Sequence, residues 1–162
     1  GGGITNYSSL FRMFKDKSEK WTAEFYEHYA KVGEQAELRT EKRTLKSKNE
    51  MEFIFQNFIR SHIIYLPSLS EIKWKLVGRG NVEKVERVIR GKKIEEYLLM
   101  NTRIESLDGE GYKVQFRTSD KRNEFEYSNP DEYLKYYPEI DELIYMCEII
   151  DLIRNEFHIW KK

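Results

Sequence analysis

The chain has 162 residues, with 28 Lys and Arg balanced by 28 Asp and Glu, and is 40% hydrophobic and 14% aromatic. That aromatic content excludes a disordered chain, which combines few aromatics with a large net charge, and the neutral balance excludes a uniform polyelectrolyte. The length suits one domain, residues 4–162, with Gly1, Gly2 and Gly3 set aside as a remnant outside the fold. Cys147 is the only cysteine and cannot form an internal disulfide, which fits an intracellular setting, cytoplasmic or nuclear. No signal peptide is present and no apolar run is long enough to span a bilayer, so no membrane association is expected.

Residues Tyr7 to Val32 read as helix, with Leu10, Phe14, Trp21, Phe25, His28 and Tyr29 in line, a restart near Ser18 and a stop at Gly33. Glu34 to Asn49 holds few apolar side chains beyond Leu38 and Leu45. Arg39, Lys42, Arg43, Lys46 and Lys48 dominate it, so it reads as a solvated helix or linker. Asn49 and Glu52 form a capping-box pattern for a second helix ending by Pro67, with Met51, Ile54, Phe55, Phe58, Ile59, His62 and Ile63 on its apolar face.

The period then changes. Ile72, Trp74 and Leu76 alternate with Lys73 and Lys75, predicting a strand over Glu71 to Val77. Gly78-Arg79-Gly80-Asn81 is turn chemistry. Val82 to Arg90 fits a strand or a helix, and the flanking glycines favour the strand. Strands follow over Lys93 to Ser106, Tyr112 to Thr118 and around Phe125 and Tyr127, separated by Asp108-Gly109-Glu110-Gly111 and by a polar turn at Asp120 to Asn123. Asn129 and Pro130 open a short helix. Pro138 forces a restart into a long helix, Ile140 to Trp160, apolar on most of its circumference, with Ile144 and Cys147 on its most buried line and Asp141 and Glu148 on its wet one. The expected fold is α+β: two N-terminal helices, an antiparallel β-meander, and a long C-terminal helix packed on the sheet.

Catalytic motifs are sparse. His28, His62 and His158 fall in separate elements with no metal-ligand spacing, and neither a phosphate loop nor a nucleophile elbow occurs. Glu71-Ile72-Lys73 is similar to the Glu-x-Lys of metal-dependent nucleases, but no Asp lies between Asp16 and Asp108 to supply their upstream ligand. Arg154-Asn155 and His158 resemble the Arg-Asn…His signature of HEPN-type ribonucleases. The histidine comes one residue earlier than in that family, so the activity is not carried over. No cofactor is expected.

Charge is unevenly spread. From Glu71 to Lys93, eight positive residues face three negative ones. From Glu124 to Glu156, ten negative residues face only Lys135 and Arg154. The preferred expectation is a non-catalytic protein–protein interaction module, an adaptor or a subunit of a larger assembly, binding a protein partner or itself through Tyr133, Tyr136, Tyr137 and Trp160. The alternative is an RNA- or DNA-binding domain that uses Lys73, Trp74, Lys75, Arg79, Arg87, Arg90, Lys92 and Lys93. A metal-independent nuclease built on Arg154 and His158 stands third.

Overall fold

At the N-terminus, two-residue alternation wins over helical spacing. In the computed structural model, which describes residues 7–30, 39–104 and 109–161, strands β1 (Tyr7–Lys15), β2 (Trp21–Tyr29) and β3 (Arg39–Leu45) form an antiparallel sheet in the order β1-β2-β3. The helix expected over Tyr7 to Val32 is therefore replaced by strands, and of the two expected N-terminal helices only the second forms. The break near Ser18 is a hairpin turn. Asp16 Oδ1 accepts hydrogen bonds from the N–H groups of Ser18 (2.7 Å) and Lys20 (3.0 Å), and Glu19 takes a left-handed φ of 60°. The basic segment expected to be a linker supplies β3, exposed at every position except Leu45. A charged, lysine- and arginine-rich strand suits the edge of a sheet. The Gly33 stop, Leu38, Ser106 and Asp108 lie outside the described residues.

Helix α1 (Met51–Arg60) ends earlier than expected and passes through turns to Tyr65. Asn49 donates its backbone N–H and Nδ2 to Glu156, at 2.9 and 2.6 Å. Glu71 to Val77 is not a strand: Leu69–Lys75 is a 3-10 helix, opened where the Ser68 N–H donates to Glu71 Oε2 at 2.7 Å. Leu69 and Ile72, three apart, are buried on one side of it while Trp74 stands out. Two separate hairpins follow, so the sheet is not a single meander: β4 (Asn81–Ile89) with β5 (Lys92–Met100), and β6 (Gly111–Arg117) with β7 (Arg122–Ser128). Asn129, with φ 47°, leads into α2 (Pro130–Tyr136), which carries Pro130 at its start, and α3 (Asp141–Phe157) closes the chain.

Two compact units result, residues 1–57 with 151–162 and residues 58–150, with the division falling inside α1 and α3. In the first, one face of the three-stranded sheet carries Phe11, Ala23 and Phe25. Phe11 meets the rings of Phe157 and Trp160 at 4.8 and 6.3 Å, and Trp21 meets Phe55 at 5.3 Å. In the second, Leu69, Ile72, Leu76, Phe125, Tyr127, Leu143, Met146 and Ile150 are buried. Asn123 Nδ2 donates to the carbonyls of Ile63 (2.9 Å) and Leu66 (3.0 Å), tying β7 to the turns that follow α1. Cys147 is buried as expected, but Ile144 is only half-buried, and the fully buried residues on that part of α3 are Leu143 and Met146, each one position before the expected pair. Glu148 is exposed as expected, yet its Oε2 accepts from the buried Ser61 hydroxyl at 2.8 Å.

Candidate interaction surface

The residues of β4 and β5 build a hairpin with almost no cover. Its turn, Arg90-Gly91, has positive φ at both positions, 51° and 79°, the requirement of a two-residue type I′ connection that matches strand twist. Its root is held by the Gly78 N–H, which donates to the Thr102 carbonyl at 3.1 Å, and by a bridge from Val77 to Arg103. Gly80 is needed at this root, because a Cβ there would lie 1.9 Å from the Met100 carbonyl oxygen.

Cross-strand partners share a face. Val82 with Leu99, Lys84 with Tyr97, Glu86 with Glu95 and Val88 with Lys93 form one face, in which every residue is exposed. The other face carries Asn81, Glu83, Val85, Arg87 and Ile89 with Met100, Leu98, Glu96, Ile94 and Lys92, and only Val85, Glu96 and Leu98 are half-buried. Val82, Val88, Ile89, Ile94, Tyr97, Leu99 and Met100 are all exposed, Tyr97 at 72%. Two ion pairs span the strands: Lys84 Nζ to Glu95 at 2.7 Å and Arg87 Nε to Glu96 at 2.6 Å. Among the described residues, Glu83 and Glu86 have no ion-pair partner, and β4 makes no backbone hydrogen bond except to β5. A lone two-stranded ribbon is marginal in water, and an open strand edge is a template for another chain.

The residues singled out in the sequence are dispersed. Tyr136 is exposed, Tyr133 is half-buried, and Tyr137 donates its hydroxyl to the Leu76 carbonyl at 2.8 Å, so it supports the second unit. Trp160 packs in the first unit, with Nε1 donating to Ser9 Oγ at 2.7 Å and its ring 6.2 Å from Phe25. Of the basic set, Lys73, Trp74 and Lys75 lie on the 3-10 helix, where Trp74 is 73% exposed and Lys75 is bonded to Glu142 at 2.5 Å. Arg87, Arg90, Lys92 and Lys93 lie on the hairpin, Arg79 just before it, and Arg87 is engaged by Glu96. Arg154 is buried, donating Nε to the Trp160 carbonyl at 3.0 Å and pairing with Asp151 at 2.9 Å, while His158 is exposed with φ 55°.

Two further polar groupings were invisible in the sequence. On the outer face of the three-stranded sheet, buried Glu24 accepts from the Tyr26 hydroxyl (2.7 Å) and pairs with Lys42 (3.2 Å) and Arg12 (4.0 Å). The Tyr26 bond first, then Lys42 and Arg12, hold its carboxyl below the usual range against the opposing effect of burial. Recognising this required β1, β2 and β3 to be read as strands. In the second unit, a cleft of about 400 Å³ is bordered by Leu69, Ser70, Lys73, Tyr112, Lys113 and Glu126. Glu124 raises the Lys113 amine. Tyr127 also lines the cleft, but its hydroxyl is buried and has no hydrogen-bond partner among the described residues; burial, then the nearby Glu142 and Glu71 charges, push it up. Among the described residues no group of three or more His, Cys, Asp or Glu is placed to hold a metal, and no helix is long and apolar enough to cross a membrane. No family model, no curated protein and no solved structure matches the chain.

Proposed function

We propose that the chain is a non-catalytic protein–protein interaction module, an adaptor or a subunit of a larger assembly, with the β4–β5 hairpin as its contact surface. One observation carries this reading: a hairpin of two nine-residue strands with exposed apolar side chains on both faces and, among the described residues, an unpaired edge on β4. Partner binding would cover the apolar side chains and satisfy the backbone groups of the edge together. Tyr97 supplies an aromatic anchor of the kind enriched where interfaces concentrate their binding energy.

A photoreactive benzophenone amino acid placed at Tyr97 tests this, with Tyr65, equally exposed at 72%, as the matched control position. Irradiation in the native cell should give discrete protein adducts from position 97 and few from position 65. Equal adduct yields at the two positions would contradict the proposal. Nucleic-acid adducts from position 97 would favour the second reading, RNA or DNA binding, which is supported by the exposure of Trp74 and Tyr97 and by Arg79, Arg90, Lys92 and Lys93, none of them ion-paired among the described residues.

A further inference from the structure

The outer edge of β4 is written to pair with itself. Read about Val85, the strand Asn81-Val-Glu-Lys-Val-Glu-Arg-Val-Ile89 is charge-complementary to its own reverse. In an antiparallel pairing of two copies centred there, Val85 meets Val85, Lys84 meets Glu86, Glu83 meets Arg87, and Val82 meets Val88 of the other copy. We propose that a second copy of this chain pairs with β4 in this register, joining two hairpins into a four-stranded sheet of order β5-β4-β4-β5. The proposal rests on the hairpin being a contact surface and names its occupant.

The geometry narrows the choice of register. A two-fold axis perpendicular to the ribbon keeps each face continuous, so registers can change only in steps that recentre the axis on another residue. Recentring on Lys84 sets Lys84 against its own copy, and recentring on Glu86 sets two glutamates together. Like charges directly opposite are destabilising. Only the Val85 register converts all four charged positions into opposite-sign neighbours. It also gives partners to Glu83 and Glu86, which have none among the described residues, without displacing the Lys84–Glu95 and Arg87–Glu96 pairs. Either alternation of inward and outward backbone groups is compatible with this centre, giving about eight to ten new backbone hydrogen bonds. Val82 and Leu99 of one copy then continue into Val88 of the other, making a wider apolar face from scattered residues. The opposite edge competes poorly. β5 is self-complementary only when centred on Ile94, where Lys92 meets Glu96 and Lys93 meets Glu95, and the segment Tyr97 to Met100 is left without a strand to face.

Charge reversal on the full chain tests the register. Sedimentation velocity over a concentration series should show a monomer–dimer equilibrium for the unmodified protein. Lys84→Glu alone and Glu86→Lys alone should each weaken dimerisation about tenfold or more, because each sets two like-charged pairs against each other across the axis. Mixing the two single variants should restore dimers, since each copy then carries the sign the other needs, and the double variant Lys84→Glu/Glu86→Lys should dimerise by itself. Far-UV circular dichroism confirms that each variant is folded, and the restored dimers serve the same purpose. In a second measurement, Val85→Cys should form an intermolecular disulfide on mild oxidation. Glu83→Cys should not, because the two copies of that residue lie four positions apart along the paired strands, about 13 Å. A protein that stays monomeric at every concentration, or single variants that are not rescued by mixing, overturns the self-pairing. In that case adducts from position 97 with a different protein would leave the contact surface standing, and equal yields at positions 97 and 65 would remove it as well.

Discussion

Replacing Leu143 by alanine probes the helix on which the second unit is built. Its side chain is fully buried on α3, one position before the half-buried Ile144. Truncation to alanine removes about three carbons, worth about 0.8 kcal/mol each as lost transfer energy. The enclosed position adds a cavity cost, because a site with no exposure cannot be refilled by water or a mobile surface chain. The total loss should therefore be about 3–5 kcal/mol. Ile144→Ala removes a similar volume from a side chain that already meets solvent, so about half the transfer term applies and little cavity forms; about 1 kcal/mol is expected. Urea denaturation followed by far-UV circular dichroism compares the two directly, with midpoints and slopes fitted together. Equal losses, or a larger loss at Ile144, would show that the buried line of α3 has been placed one residue out.

Two further substitutions follow from the geometry. Gly80→Ala forces a Cβ against the Met100 backbone at the root of the hairpin, so hydrogen exchange should accelerate across β4 and β5 and stay unchanged in β6 and β7; uniform protection in all four strands would contradict the close approach. Glu24→Gln tests the charge network on the outer face of the three-stranded sheet. A carboxyl held below its ordinary value contributes stability that is fully present above that value and is lost as pH falls through the lowered one. The unmodified protein should thus lose stability over its acid limb, below about pH 4.3, more steeply than Glu24→Gln, and parallel pH profiles would refute the network.

The C-terminal helices and both hairpins were legible in the sequence because their signals were local. Pro130 and Pro138 punctuate α2 and α3, and glycines bracket β4 and β5. The N-terminal sheet was not legible, for a definable reason. Leu10 and Phe14, like Trp21 and Phe25, are four residues apart, and that spacing keeps two side chains on one face of a helix and equally on one face of a strand. The deciding residues are Phe11, Ala23 and Phe25, which share the packed face only when the period is two. At the 3-10 helix the failure ran the other way. Alternation through Ile72, Trp74 and Leu76 mimicked a strand, while the three-residue step from Leu69 to Ile72 carried the true period. The buried line of α3 slipped from Leu143 to Ile144 because apolar residues cover most of that helix, leaving no sharp centre to its inner face. The self-complementary charges of β4 were present in the sequence as well, but they acquire meaning only once the segment is known to be a strand with an open edge.

Hydrogen exchange in β4 as a function of protein concentration reads the open edge itself, and so reports on self-pairing without any substitution. Amides of Val82 to Val88 directed away from β5 should become protected as concentration rises, while those of β6 and β7 keep a constant rate. Outward amides of β4 that exchange at one fast rate across the whole concentration range would contradict self-pairing.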